Sequence, residues 1–370
     1  MSFLIFIAVL LVLILVHEFG HFVFAKIFKV RVDEFGIGYP PKALKIAKIG
    51  ETEYTLNWLP FGGFVRLFGE EKSDKISDDE KLRSLEYKKP WQKILILFAG
   101  AFFNFLLGWF LFAYVFFSGV PLFWDKNYVD NSTLTVAGVM ESAPAELSGI
   151  ELGDKITAIH LKDDPDLKPK MLSPDFVADF ISKHPGEKIV VVLERQGEQP
   201  DVKVEITPRQ GVLKEAPARA AVGMSMTLVS ERQYGVLESL YLGLKSSWQV
   251  VIDVLEGLWN LFKGALTLNA DLKHVAGPVG IASMVGDAAQ VGFAYLLYFM
   301  ALISINLAVI NLLPIPALDG GRIVFALYEW IFGRKAPAWL ENGINFVGFA
   351  LLILLMLAIT YNDVVRLIYK

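Results

Sequence analysis

The chain contains no cysteine, so disulfides and thiolate metal ligands are excluded from any account of it. Charge is scarce: 20% of the 370 residues are Asp, Glu, Lys or Arg, and a net charge of -4 leaves no basic footprint for nucleic acid. Histidine is scarcer, with five in the whole sequence. No basic segment precedes the apolar run that begins at Phe3, and no small-x-small site closes it, which argues for a retained span over a cleaved secretory signal. What fills the chain is apolar. Hydrophobic residues make up 54% and mean hydropathy is positive, outside the range of ordinary soluble domains.

Two of the five histidines stand together in His17-Glu18-Phe19-Gly20-His21, which closes that first apolar run. Histidines at i and i+4 share one face of a helix, and the glutamate beside the first lies close enough to polarise a water at a metal, the HExxH pattern of zinc proteases. A chance match on a surface helix fits poorly here, because metal-ligating and charged side chains are too costly in hydrocarbon to be kept for packing alone. Zinc takes nitrogen and oxygen ligands in a tetrahedral set with one position left for water, so a third protein ligand must come from elsewhere. His160 and His184 lie in a polar central region and His274 follows Asp271-Leu272-Lys273. An acidic residue in another apolar segment serves better, and Asp319 is one.

The chain divides by composition. Residues 1–28 form the first span. Residues 29–93 are rich in lysine and arginine, with alternating pieces at Val32–Gly38, Glu53–Leu59 and Gly63–Phe68 that read as strands broken by Gly and Pro. The aromatic turn at Leu59–Phe64 either dips toward the membrane beside the site or caps a small cytosolic sheet; lipid tolerates irregular backbone only where protein or water satisfies it. A polar stretch from Glu70 to Lys89 reads as a linker and a short interfacial helix. A second span covers 94–119, where Gly100 and Gly108 permit close helix contact and Asn104 serves equally as interhelical glue or as a site residue. Residues 125–227 are a soluble island long enough for its own core, with a short helix after Ser142, a strand from Lys155 and a hairpin turning at 196–200. An amphipathic rod follows at 234–267, which can lie in the interface or pack on the bundle. After a breaker cluster at Ala276–Ile281, an uncharged run at 291–318 makes a third span containing Asn306, Asn311, Pro314 and Pro316, and ends against Asp319. Prolines there break backbone bonds and leave carbonyls and the acid free to face a site. The last span is 342–360.

Lysine and arginine crowd residues 26–93, and Arg322, Arg334 and Lys335 sit before the last span. The positive-inside rule places both loops in the cytosol, the N-terminus and the soluble island outside, and the metal toward the cytosolic face.

The pairing of His17-Glu18-Phe19-Gly20-His21 with Asn311-Leu312-Leu313-Pro314-Ile315-Pro316-Ala317-Leu318-Asp319-Gly320, around a PDZ-like module, resembles the site-2 intramembrane metalloproteases, specifically the bacterial RseP type. The resemblance implies a polytopic α-helical membrane protein with four transmembrane helices, a membrane-associated β region and an inserted PDZ-like α/β domain. It implies a Zn2+ site of His17, His21 and Asp319 with Glu18 as base, and Asn306 and Asn311 near substrate. It also implies that a β region matching about Asp33–Phe68 holds the substrate strand, where Phe64 and Val65 are the candidate binding residues. The partners it implies are single-span membrane proteins such as anti-sigma factors or remnant signal peptides, with membrane lipid and a possible peptide ligand of the PDZ-like domain, at the bacterial inner membrane. The island has room for one PDZ module, unlike members with two in tandem. The rival from another class is a non-catalytic membrane-tethered PDZ scaffold with a structural metal site; Glu18 argues against it, since such a site needs no base. A metal transporter would call for acids and histidines strung along a path, whereas here they form one cluster.

Overall fold

The computed structural model describes residues 2–70, 77–119, 132–140, 142–195, 202–213, 216–230, 233–267 and 277–368. The hairpin turn at 196–200, the first residues of the soluble island from Asp125, and His274 lie outside the described residues. The chain forms two compact units, one of residues 1–115 and 236–370 and the other of residues 116–235.

The first unit is built on helices that are apolar on every side, as lipid-facing helices must be. Helices α1 (Ser2–Ile27), α2 (Pro90–Ser118), α7 (Phe293–Leu312) and α9 (Ala338–Ile368) each contain a segment long and apolar enough to cross a membrane. The 26 residues of α1 rise about 39 Å, ample for the ~30 Å hydrocarbon layer. The protein is a polytopic membrane protein, with four such helices among the described residues. Small residues set the helix crossings, since without a hydrophobic drive in lipid close backbone approach must hold helices together. A Cβ on Gly108 of α2 would stand 2.5 Å from Ile305 of α7, and one on Gly20 of α1 would run into the Ala99 carbonyl of α2. The bundle core joins Val9 and Leu13 of α1 to Val285 of α6 (Pro278–Val291), with Leu296, Phe299 and Ile303 of α7 against them.

Between α1 and α2 lie β1 (Val32–Ile49) and β2 (Thr52–Leu67). The three short strands expected from the Gly and Pro breaks are in fact two long ones. The strand continues across Pro40 and Pro41, where the register slips between Tyr39 and Lys42; a bulge absorbs a missing N–H that a central ladder could not. Both halves of β2 meet the start of β1, so that Phe35 has Val65 opposite it on one side and Tyr54 on the other. Val32, Val65 and Leu67 pack with Ala25 of α1 and Ile96 of α2, which seats the sheet at the end of the helix that carries the histidines. The polar stretch after Glu70 contains two 3-10 turns, Asp78–Arg83 and Leu85–Tyr87.

The amphipathic rod is α5 (Val236–Leu266), and it packs on the bundle through small residues: Ser239, Gly243 and Ser247 are buried, with Gly243 against Ala113 of α2. Its other face leaves Leu237, Tyr241, Trp248 and Trp259 exposed. The breaker cluster after it opens a helix. Pro278 is the first residue of α6, a position whose N–H no helix uses. Asp363 of α9 caps it by accepting from the N–H groups of Gly277 at 3.3 Å and Gly280 at 2.9 Å. The third span also differs from the uncharged run, because α7 stops at Leu312 and Asp319 begins a separate helix, α8 (Asp319–Phe332). Pro314 and Pro316 cannot donate to the preceding turn, so the run breaks six residues before its sequence does.

The second unit is a five-stranded antiparallel sheet in the order β6-β5-β4-β3-β7, from β3 (Ser132–Val139), β4 (Lys155–Leu161), β5 (Ile189–Glu194), β6 (Val202–Ile206) and β7 (Met224–Ser230). Alternation places Ile189, Val191 and Leu193 on its inner face. Ala145 of α3 (Pro144–Leu147) and Val177, Phe180 and Ile181 of α4 (Pro174–Lys183) close that core.

Candidate active site

Helix α1 brings His17 and His21 one turn apart on the side facing α2, with their rings edge to face at 4.7 Å. They are 9% and 8% exposed, so water does not compete for them freely. The His17 Nε2 and His21 Nε2 atoms are 3.1 Å apart, and Asp319 Oδ2 lies 3.0 Å from the first and 3.2 Å from the second. Zinc bonds of about 2.0–2.1 Å in a tetrahedron put ligand atoms roughly 3.3–3.4 Å from one another. The triangle therefore fits a tetrahedral ion with slight expansion, and its nitrogen and oxygen donors suit one. Burial works to raise the Asp319 pKa, but the hydrogen bonds and charges of His17 and His21 prevail and hold it well below the usual carboxylate range. A carboxylate is the form that metal binding demands of Asp319.

Asp319 owes its place to the break before it. As the first residue of α8 it sits at the positive end of the helix dipole. Loop 313–318 folds flat against that first turn, which only glycines permit: a Cβ on Gly320 would meet the Leu313 carbonyl and one on Gly321 the Ile315 carbonyl. Within the loop Ala317 takes a left-handed φ of 71°, sparsely populated for an L residue, and its N–H reaches Asn345 Oδ1 of α9 at 3.4 Å. Two ion pairs hold α8 from outside, Arg322 with Glu70 at 2.5 Å and Glu329 with Lys93 at 2.7 Å. An apolar cavity of about 440 Å³ opens between Ile315 and Pro316 of the loop and Trp339, Val347 and Gly348 of α9.

Glu18 stands beside the triangle and outside it. Its Oε2 accepts the N–H of Val65 at 3.0 Å, so β2 fixes the carboxylate that α1 supplies. Phe64 stacks on Tyr39, ring centres 6.4 Å apart and nearly parallel. The structure thus gathers His17, Glu18, His21, Asp319 and Val65 at one place. Asn306 is turned to its own helix, its Nδ2 donating to the Leu302 carbonyl at 2.8 Å. Asn311 is half-buried one residue before α7 ends.

Helix α2 contributes more than the sequence indicated. The Ile96 carbonyl accepts from His21 Nδ1 at 2.8 Å, Asn104 comes within 3.5 Å of His17 Nδ1, and Gly100 passes directly over both rings. A backbone carbonyl carries no sequence mark, and Gly100 reads only as a close-packing residue. Asn104, the one strongly polar residue of its span, was the available signal.

The model of peptidase family M50 matches residues 5–355. The chain belongs to peptidase family M50. Among relatives of this M50 chain, a Clostridium perfringens protein that carries the provisional name of a zinc metalloprotease is 38% identical over 354 residues, covering 95% of each chain. The zinc metalloprotease RasP of Shouchella clausii is 29% identical over 441 aligned residues and covers 99% of each. A Campylobacter jejuni protein, also provisionally named a zinc metalloprotease, is 32% identical over 376 residues, 99% of this chain and 94% of its own. The M50 match takes in both His17–His21 and Asp319.

Proposed function

We propose that the protein is a zinc endopeptidase that hydrolyses peptide bonds within the membrane, in transmembrane segments of single-span proteins such as anti-sigma factors or remnant signal peptides. The observation that carries this reading is the buried triangle of His17 and His21, in the second half of an apolar helix, with Asp319, and the Glu18 carboxylate alongside. When bound there, zinc would act as a Lewis acid and bring the pKa of water toward ~7. Glu18 takes a proton from the attacking water and returns it to the leaving nitrogen. The hydrogen bond from Val65 keeps that carboxylate aimed.

The scissile carbonyl of a helical substrate is hidden in i to i+4 bonds, so the segment must unwind. The Gly63–Leu67 arm of β2 passes beside Glu18 and supports strand addition there, with Phe64 and Val65 at its centre. Asn311, near the end of α7, and Asn306, whose Oδ1 stays available while its Nδ2 donates to Leu302, are the asparagines proposed to hydrogen-bond the unwound substrate. Val65→Pro removes the one N–H that reaches Glu18 and disturbs the arm. It is expected to keep zinc and to lose most turnover; equal loss of both would assign the strand to folding.

The second unit supports a PDZ-like reading, since β7 is one edge of its sheet and α4 lies beside it, and an edge strand can take an extended peptide as an added strand. The charge distribution supports an orientation with the residue 26–93 loop in the cytosol and this unit outside. Ser77→Cys should resist an impermeant reagent added to intact cells, while Glu187→Cys, exposed in the second unit, should react. The opposite pattern would invert the topology.

The deciding experiment incubates the purified full chain with a single-span peptide in detergent and in lipid. Cleavage that stops on chelation and returns with zinc is the expected result. Stoichiometric metal with no turnover on any helical peptide would favour a membrane-tethered scaffold with a structural ion.

A further inference from the structure

Asn104 is 1% exposed, and its Oδ1 has no hydrogen-bond partner among the described residues. Its Nδ2 stands 3.5 Å from His17 Nδ1. As placed, the contact cannot work with a metal in the site. His17 turns Nε2 toward His21 and Asp319, so a neutral ligand imidazole carries its proton on Nδ1. An amide NH2 and a ring N–H would then face each other, donor to donor, while a buried carbonyl oxygen close by goes unpaired, at a cost of about 1–3 kcal/mol. Rotating the amide by half a turn, which exchanges an oxygen and a nitrogen of nearly the same shape, replaces the donor–donor contact with an acceptor facing the ring N–H and gives that oxygen a partner. We infer that Asn104 is a positioning residue for His17: its Oδ1 accepts the Nδ1–H and so fixes the tautomer and ring plane that present Nε2 to the metal.

The rest of α2 supports this assignment. Ile96, Gly100 and Asn104 are spaced four apart and form one stripe. The Ile96 carbonyl accepts from His21 Nδ1 at 2.8 Å, Gly100 leaves room for the two rings, and Asn104 meets His17. Acceptor, gap and acceptor on α2 thus answer the two histidines one turn apart on α1. Each ligand histidine has its outer nitrogen held by the same helix, one by backbone and one by side chain. The asparagine is itself anchored, since its backbone carbonyl accepts the buried Ser304 hydroxyl of α7 at 2.7 Å. That backbone bond would form with any side chain at position 104 and so does not explain an asparagine there, whereas an amide directed at a ligand histidine does.

The inference rests on His17, His21 and Asp319 as the metal site, and its test keeps the two apart. Zinc affinity is measured by chelator competition on the full-length wild type and on Asn104→Asp, Asn104→Leu, Asn104→Ala and His17→Ala, with thermal stability of each apo-protein beside it. Outer partners of ligand histidines are typically worth about 10–100-fold in metal affinity. Asn104→Leu and Asn104→Ala are expected to fall by that factor, while Asn104→Asp, which keeps an acceptor and only an acceptor, should bind within a few-fold of wild type. In zinc-loaded protein labelled with 15N-histidine, the His17 Nδ1–H signal should persist in Asn104→Asp and shift or exchange rapidly in Asn104→Ala. Asn104→Ala serves where Asn104→Leu does not fold. Wild-type zinc affinity in Asn104→Ala with only its stability lowered would overturn the inference in favour of packing. Asn104→Asp binding as weakly as Asn104→Ala would overturn it by showing that the amide N–H is the working group. Undiminished affinity in His17→Ala would instead remove the metal-site reading itself.

Discussion

Glu18→Gln is expected to bind zinc with one equivalent per chain and to cut a helical substrate at least ~10²–10⁴ times more slowly, the range that general acid–base catalysis supplies. Glutamine keeps an oxygen that can accept the Val65 N–H now held at 3.0 Å by Glu18, so neither the sheet nor the helix should notice the change. The amide cannot take a proton from water, and that alone should be lost. Asp319→Ala should behave differently. It removes one corner of a triangle whose sides are 3.0, 3.1 and 3.2 Å, and its effect on zinc affinity should exceed the about 10–100-fold typical of a partner outside the ligand set. Metal analysis beside a single-turnover assay separates the two variants. A Glu18→Gln protein that cuts at the normal rate would sink the proposed base, and an Asp319→Ala protein with full zinc would send the third ligand to another residue.

The contrast between these two residues parallels what their sequence could say. His17, Glu18 and His21 lie within one helical turn, and helix geometry alone places two of them on a face and one beside it. Asp319 is 298 residues beyond His21, and neither spacing nor periodicity connects them; it stands out as an acid in an apolar setting next to two prolines, and through the Asn311–Gly320 motif that carries the resemblance to the site-2 proteases. Those prolines mark a break that the uncharged run alone assigns to the end of a span, whereas Asp319 opens α8 and takes its orientation from that helix. The four apolar helices were legible because lipid requires long uninterrupted runs, and the second unit because its strands alternate. The continuation of β1 through Pro40 and Pro41 was not, since proline forbids a central ladder position and says nothing against a bulge. Gly277-Pro278 reads as a breaker for a similar reason: the acid that caps α6 is Asp363, over eighty residues away.

Gly100→Ala should be nearly as damaging as loss of a ligand, although a methyl group carries no charge and no hydrogen bond. A Cβ at this position would lie 2.5 Å from His21 Nε2 and 2.7 Å from His17 Cε1, inside the space of the ligand atoms themselves. Rings that were free could swing aside, but His21 is held by the Ile96 carbonyl at its other nitrogen, and α2 cannot back away without losing the crossing at Gly20 and Ala99. The expected outcome is zinc affinity reduced by at least about 100-fold, beyond the usual range for outer partners, with the bundle still assembled. Gly108→Ala, two turns along the same helix, provides the comparison. Its Cβ would press on Ile305 at 2.5 Å and on no ligand, so it should cost the about 1–3 kcal/mol of overpacking and leave zinc binding intact. Gly257→Ala on α5, where nothing lies within 4 Å, should be tolerated or gain up to about 1 kcal/mol from helix propensity. Zinc titration and thermal melting of the three variants distinguish a metal centre roofed by α2 from a helix pair that merely packs tightly. Equal zinc affinity in Gly100→Ala and Gly108→Ala would show that the histidine rings can move away from α2 and that their hydrogen bonds to it do not hold them.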